Sequence, residues 1–241
     1  MLETVIELYN TILYEPLFNA VIFLYNILPG NDFGMAIVAL TVLVRLIFFP
    51  LTVKTTLSQR ALGRINPLMK EIKDKYKNNA QAQSAAIMQL YKEHKVNPLS
   101  GCLPLLIQLP ILIALYQAFG AGFKPDSLAF LYSFVENPGR INEISFGFLN
   151  ITTKSVILAL ITGFFQYFQL KQNQKLTQGS NSAGLGPQKE MQALNTQMLY
   201  FFPVMIIIIG WNLPAGLLVY WLTTTLFSMA EQTYIRTRYK D

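Results

Sequence analysis

GMAIVALTVLVRLIFFPL, residues 34–51, reads as a membrane-spanning helix with a permanent positive charge inside it. An apolar run of this length approaches the roughly 20 residues needed to cross the hydrocarbon core of a bilayer. Arg45 has no carboxylate within the stretch to neutralise it. The rest of the chain has the same character: of 241 residues, 52% are hydrophobic and only 13% charged. A soluble globular protein carries about 25% charged residues, so the composition makes lipid the expected solvent.

A single cysteine, Cys102, excludes an intrachain disulfide and a thiolate-rich metal site, and one histidine, His94, leaves little scope for histidine metal clusters. Cys102 reads as a small packed residue and His94 as one that caps or packs a helix end. The N-terminus, MLETVIELYN, begins with acids where a cleavable signal carries Lys or Arg.

Four further segments are long and apolar enough to span: about 100–121, 153–171, 198–212 and 214–234. Asn212-Leu213-Pro214 sets the last two in a tight hairpin, and Pro104, Pro110 and Pro203 fall inside spans, where neighbouring helices satisfy the freed carbonyls. Near the N-terminus, Leu2, Val5, Ile6, Tyr9, Ile12 and Leu13 share one helical face, with Glu3, Glu7 and Asn10 on the other. That is the pattern of an interfacial helix. Residues 16–28 are apolar but short for a span.

Charge fixes the expected orientation. Residues 53–99 hold nine Lys or Arg against three acids, and 15 of the 19 basic residues fall on the same side of the five spans. Residues 1–33 hold four acids and no Lys or Arg. The positive-inside bias then places the N-terminus outside and the C-terminus in the cytosol. The expected fold is an all-α membrane protein of five transmembrane helices. Residues 1–33 form an outer amphipathic segment, 34–52 and 100–235 the spanning core, 53–99 a cytosolic helical hairpin and 236–241 a short basic tail. In the hairpin, Leu57, Ala61, Ile65, Leu68, Ile72 and Tyr76 form an apolar stripe, Asn78-Asn79 a turn, and residues 80–95 the second arm. Gly63 and Pro67 are expected to weaken or kink the first arm. Its basic residues read either as a solvated face or as a surface for partners and anionic lipid. GSNSAGLGP, 179–187, reads as a loop.

Polar residues inside the spans recur at helical spacing. Thr41, Arg45 and Thr52 share a face, as do Thr162, Gln166, Gln169 and Asn173 on the third span, and Trp221, Thr225, Ser228 and Gln232 on the fifth. Ser100 and Gln108 lie near one face of the second. Such stripes avoid lipid by facing water or one another. A wet cavity, open to the cytosol and ending at Arg45, accounts for all of them. Arg45 would lie on the order of 10 Å deep at 1.5 Å per residue. Two plainer readings stand beside it: snorkelling of the arginine and interhelical hydrogen bonds that hold the bundle together. Trp221 read alone could be a packing aromatic.

No Asp or Glu lies within a span, Glu231 falling at the cytosolic end of the fifth. Proton-coupled transport, phosphate-loop chemistry, zinc proteolysis and nucleophilic catalysis all lack their residues. No enzyme activity and no cofactor is expected. A positive, one-sided cavity suits a guest that is polar in one part and apolar in another, such as a peptide entering the bilayer. Hydrating its polar stretch part-way across lowers the desolvation barrier to crossing. The alternative is a channel or facilitator for a small anion, with Arg45 as selectivity charge, and a structural scaffold is third.

VRLIFFPLTVKTTLSQRALGRINPLMKEIKDKYK, LYKEHKVNPLSGCLPLLIQLPILIALYQAF and NLPAGLLVYWLTTTLFSMAEQ resemble the YidC family of membrane protein insertases, over roughly residues 30–235. NPLxGCLPxLIQxPI at 97–111 is the most specific of these matches. The resemblance implies a five-span core with a cytosolic hairpin, a groove arginine at Arg45, and groove residues at Gln108, Gln166 and Trp221, to which the polar stripes add Gln169, Thr225 and Ser228. It implies a multi-pass protein of the bacterial plasma (inner) membrane whose substrates leave along the third and fifth spans. The implied partners are nascent membrane-protein substrates and the bilayer, with the general Sec translocon and the ribosome as further candidates and no nucleic acid directly. Three departures from the resemblance are expected. With 33 residues before the first span, the large outer domain of many members is expected to be absent, the basic C-terminal extension of some relatives is expected to be reduced to YIRTRYKD, and Asn150 stands where an acid is common before the third span.

Overall fold

The computed structural model describes residues 2–97, 103–122, 131–177 and 188–239. Ser100, Cys102 and the 179–187 loop lie outside them. The chain opens with α1 (Leu2–Tyr9), a π-helical stretch (Asn10–Tyr14) and α2 (Glu15–Ile27). Pro16 sits in the first turn of α2, where its missing N–H costs little.

The quoted stretch lies in α3 (Phe33–Lys75), a single helix of 43 residues. Asp32 caps it, its Oδ1 accepting from the Met35 N–H at 3.0 Å. At 1.5 Å per residue α3 is roughly 65 Å long, about twice the hydrocarbon thickness. The first apolar segment and the first arm of the hairpin are therefore one rod. It passes through Pro50, Gly63 and Pro67 without a break. Gly63 is the residue whose carbonyl Pro67 leaves unbonded and would otherwise crowd.

α4 (Ala80–Glu93) folds back on α3, with the Asn79 side chain accepting from the Ala82 N–H. His94 is its C-cap residue, and Lys95 (φ 52°) turns the chain away in the left-handed region. Ile65, Leu90 and Val96 form the buried centre of this hairpin, with Ala61, Leu62, Met69, Ile72 and Tyr91 around them. Leu68, expected on the packed stripe, is 38% exposed, and Met69 takes the inner position instead.

The remaining helices are α5 (Leu103–Gly122), α6 (Val156–Thr177), α7 (Gln188–Gly210) and α8 (Ala215–Arg238). α7 and α8 are joined by a short turn through Pro214, as the sequence suggests. α6 packs on α7 and α8, α3 on α8, and α5 on the N-terminal helices and α8. Gly163 permits the close approach of α6 to α7: a Cβ there would overlap Ile207 Cγ1.

At the end of the bundle opposite the hairpin, β1 (Ile144–Ser145) pairs antiparallel with β2 (Leu149–Asn150). Ser145 Oγ accepts from the Gly34 N–H at 2.8 Å, and Asp32 Oδ2 accepts from the Phe146 N–H at 2.5 Å. Asn150 Oδ1 accepts from the backbone N–H groups of Thr152 and Thr153, an Asx turn leading into α6. The Ala215 and Gly216 N–H groups donate to the Thr153 and Ile151 carbonyls, so the same loop also holds the start of α8.

The main apolar core lies at this loop end. It combines Phe18, Val21, Ile22 and Tyr25 of α2, Phe33, Ile37 and Leu40 of α3, Ile111 and Leu115 of α5, and Leu217, Val219 and Tyr220 of α8. Residues 16–28, too short to span, thus bury one face of α2 in the bundle. Outside, Ile47 (71% exposed), Ile157 (73%) and Ile208 (62%) present bare aliphatic surface. Phe164, Phe168, Tyr200 and Phe201 add aromatic area to the same belt. Among the described residues, α3 is long and apolar enough to cross a membrane, and Gln108–Ala118 and Leu199–Gly210 are shorter apolar stretches.

Candidate functional site

Moving along the bundle from the loop end toward the hairpin, the interior changes from aliphatic to polar. Thr41, Thr162, Gln166, Thr224, Thr225, Ser228, Glu231 and Gln232 are all buried. Thr41 and Thr162 return their hydroxyl protons to the carbonyls four residues back, at 2.7 Å each. Such back-bonding satisfies a hydroxyl without a second helix. The amides and the charged groups need partners on other helices.

α8 supplies them from two stripes set one residue apart. The first, Trp221–Thr225–Ser228–Gln232, faces α6. Gln166 Oε1 accepts from Trp221 Nε1 at 3.3 Å and from Thr225 Oγ1 at 3.2 Å, while Gln166 Nε2 donates to Gln169 Oε1 at 2.6 Å. Gln232 Nε2 donates to Ser228 Oγ at 3.4 Å. Further toward the hairpin, Gln172 Nε2 donates to the Met229 carbonyl and to Thr233 Oγ1. Four of the expected groove residues, Gln166, Gln169, Trp221 and Thr225, therefore form one network across α6 and α8. Gln166 and Thr225 are buried in it, Gln169 and Trp221 are half-buried, and Ser228, bonded to Gln232, is buried beside it.

The second stripe, Tyr220–Thr224–Glu231, faces α3 and α5. Arg45 Nη1 meets Glu231 Oε2 at 3.2 Å, and Arg45 Nη2 donates to the Thr224 carbonyl at 3.3 Å. The Glu231 side chain is 3% exposed and that of Arg45 19%. Glu231 Oε1 is buried and accepts no hydrogen bond from the described residues. Gln108, on α5, donates to Tyr220 Oη.

Glu231 corrects the sequence reading on one point. Arg45 lacks a counter-ion in its own helix, but one lies 186 residues away on the neighbouring helix. The sequence places Glu231 at the cytosolic end of the fifth span, whereas α8 continues to Arg238 and holds Glu231 among buried residues. The signal was present in the sequence: Tyr220, Thr224 and Glu231 are spaced four and seven, the same period that picked out Trp221, Thr225, Ser228 and Gln232.

Beyond the ion pair, a basic cluster stands at the hairpin end. Arg60 Nη1 donates to the Tyr239 carbonyl at 3.0 Å, capping the end of α8 with a cation. Burial, then the nearby charges of Arg236 and Arg64, hold the Arg60 pKa below its ordinary value. Among the described residues no group of three or more His, Cys, Asp or Glu could hold a metal ion.

An all-α bundle with bare aliphatic surface outside and amides, hydroxyls and an ion pair between its helices defines a helical membrane protein. The chain belongs to the 60Kd inner membrane protein family, whose model matches residues 23–241. It is 34% identical over 205 residues to a Fusobacterium nucleatum protein named membrane protein insertase YidC, covering 85% of this chain and 86% of that one. Proteins of the same name from Streptomyces avermitilis (32% over 225 residues) and Geotalea daltonii (31% over 223 residues) match 86% and 92% of this chain. The matched region spans about half (51%) of the first of these and 37% of the second. The resemblance carried by the three sequence motifs is thus upheld.

Proposed function

We propose that the chain is a membrane protein insertase and chaperone. It receives the polar part of a nascent membrane protein in a partly hydrated groove open to the cytosol and releases the apolar segment into lipid. In this reading five helices span the membrane, with the loop end outside and the hairpin in the cytosol. Arg45, Gln108, Gln169 and Trp221 line the groove, and Gln166, Thr225 and Ser228 hold its α6 and α8 walls together. Nascent membrane proteins are the substrates and the bilayer the second partner. The general Sec translocon and the ribosome are further candidates. The protein is not an enzyme and acts in the bacterial plasma membrane.

The observation that carries this reading is the placement of Arg45. An arginine side chain one-fifth exposed stands in the apolar stretch of α3, bonded to Glu231 and to the Thr224 carbonyl of α8. An arginine held there, off the lipid-facing belt, offers a polar guest a hydrated foothold part-way across the bilayer. The apolar core at the loop end, aliphatic and aromatic, supports a blind groove rather than a pore. The pairing of Arg45 with Glu231 weighs against the small-anion channel, because the carboxylate cancels the charge that would select an anion.

The test is reconstitution of the purified chain in liposomes with a small single-span protein carrying an acidic tail. The tail is expected to become protease-protected in proportion to the insertase present. Equal protection in empty liposomes overturns the reading.

A further inference from the structure

The ion pair is asymmetric. Glu231 is almost wholly covered, whereas Arg45 keeps about a fifth of its side-chain surface open. A group arriving in the groove therefore meets the Arg45 side chain before it meets the covered carboxylate. Among the described residues, Arg45 uses one N–H on each terminal nitrogen, to Glu231 and to the Thr224 carbonyl. A guanidinium has further donors in its plane, so a second carboxylate can approach without first breaking the pair.

Electrostatics sets the consequence. A lone guanidinium at this depth, in low dielectric, attracts any acidic group strongly and offers a neutral one much less. Beside Glu231 the local net charge is zero. The attraction of an incoming carboxylate to Arg45 is then offset by its repulsion from Glu231, while a neutral amide or hydroxyl can still hydrogen-bond the guanidinium. The buried Oε1 of Glu231, without a hydrogen-bond partner among the described residues, marks the side from which its charge is least compensated.

We infer that Glu231 is a specificity-determining residue of the groove: it is the resident counter-ion of Arg45, and it widens the range of guests from acidic tails to neutral polar ones. An entering carboxylate shares the guanidinium with Glu231, which stays in place and takes up the full pairing again when the guest leaves for the lipid. No bond is made or broken beyond these contacts. The inference rests on the insertase reading above and deepens it.

Two versions of one single-span guest, identical except for Asp or Asn at the tail positions, are translated together in equal amounts with proteoliposomes. The ratio of protected Asp tail to protected Asn tail is read for the natural chain and for Glu231→Gln. The glutamine keeps the shape and can still accept from Arg45 Nη1, but removes the negative charge. The ratio is expected to rise by about fivefold as the repulsion of the Asp tail by Glu231 is removed. An unchanged ratio, or a shift toward the Asn tail, overturns the inference. If Glu231→Gln does not yield folded protein, Glu231→Asp draws the carboxylate back by one methylene. Its ratio is expected to rise in the same direction by less, and no rise overturns the inference. Absence of protection for both guests with the natural chain counts against the insertase reading itself, not against the role of Glu231.

Discussion

At the residue scale, Arg45 and Glu231 show how a charge is kept inside an apolar helix bundle. Two charges out of water are tolerable because each is the other's nearest partner, and because the Thr224 carbonyl, 3.3 Å from Nη2, takes part of the remaining hydrogen-bonding demand. Breaking one side of such a pair leaves the other charge buried and uncompensated. Arg45→Gln is expected to destabilise the protein by on the order of 3 kcal/mol. The double variant Arg45→Gln with Glu231→Gln is expected to recover most of that loss. Thermal unfolding in detergent measures both, and equal losses in the single and double variants would show that the pair is not what couples them. Gln166 is the matching case for a neutral network, since its one oxygen serves both Trp221 and Thr225. Gln166→Leu leaves the Trp221 N–H without its acceptor and is expected to cost about 1–3 kcal/mol in the same measurement.

At the scale of elements, close approach and capping set the order. α6 and α7 meet at Gly163, where a side-chain carbon would lie within 3.1 Å of the Pro203 carbonyl and closer still to Ile207. Gly163→Ala is expected to push the helices apart at a cost of about 1–3 kcal/mol. The result would be a lower unfolding temperature with helix content retained, and a wild-type unfolding temperature would refute the tight fit. At the start of α3, Asp32 does two jobs with its two oxygens: one caps the helix and the other accepts from Phe146 in the β1–β2 turn. Asp32→Ala is expected to lose about 1 kcal/mol from the cap. The 131–153 loop should also become more susceptible to limited proteolysis. Much at this scale was readable beforehand. The α7–α8 turn followed from Asn212-Leu213-Pro214, and the hairpin from its apolar stripe and Asn79. Less readable was the unbroken run of α3 through Pro50 and Pro67. A proline inside a helix lowers the local propensity, but it does not reveal whether α4 and α8 pack alongside to keep the helix continuous.

At the scale of the whole molecule, the division between an aliphatic loop end and a polar hairpin end gives the chain a direction. The topology proposed here assigns the loop end to the outside. In a chain with Cys102 replaced by Ser, a cysteine at Ser133 is expected to react with a membrane-impermeant thiol reagent on intact cells. A cysteine at Ser84, exposed on α4, is expected to react only after permeabilisation. Labelling of both from outside, or the reverse order, would reject the N-out, C-in arrangement.

By itself the sequence determined the kind of solvent, the positions of the long helices, the family and the residues with polar side chains inside the bundle. These follow from local quantities: hydropathy over a window, period along one helix, and motifs of contiguous residues. Only the tertiary structure decided which polar residue meets which. Burial of Phe18, Val21, Ile22 and Tyr25 needed α3 and α5 to be in place around α2. The pairing of Arg45 with Glu231 needed α3 and α8 to pack side by side with one register and one rotation about their axes. A single helix period cannot supply that rotation, because it is fixed jointly by every contact along the interface. For the same reason the sequence showed a bare cation where the folded chain has an ion pair.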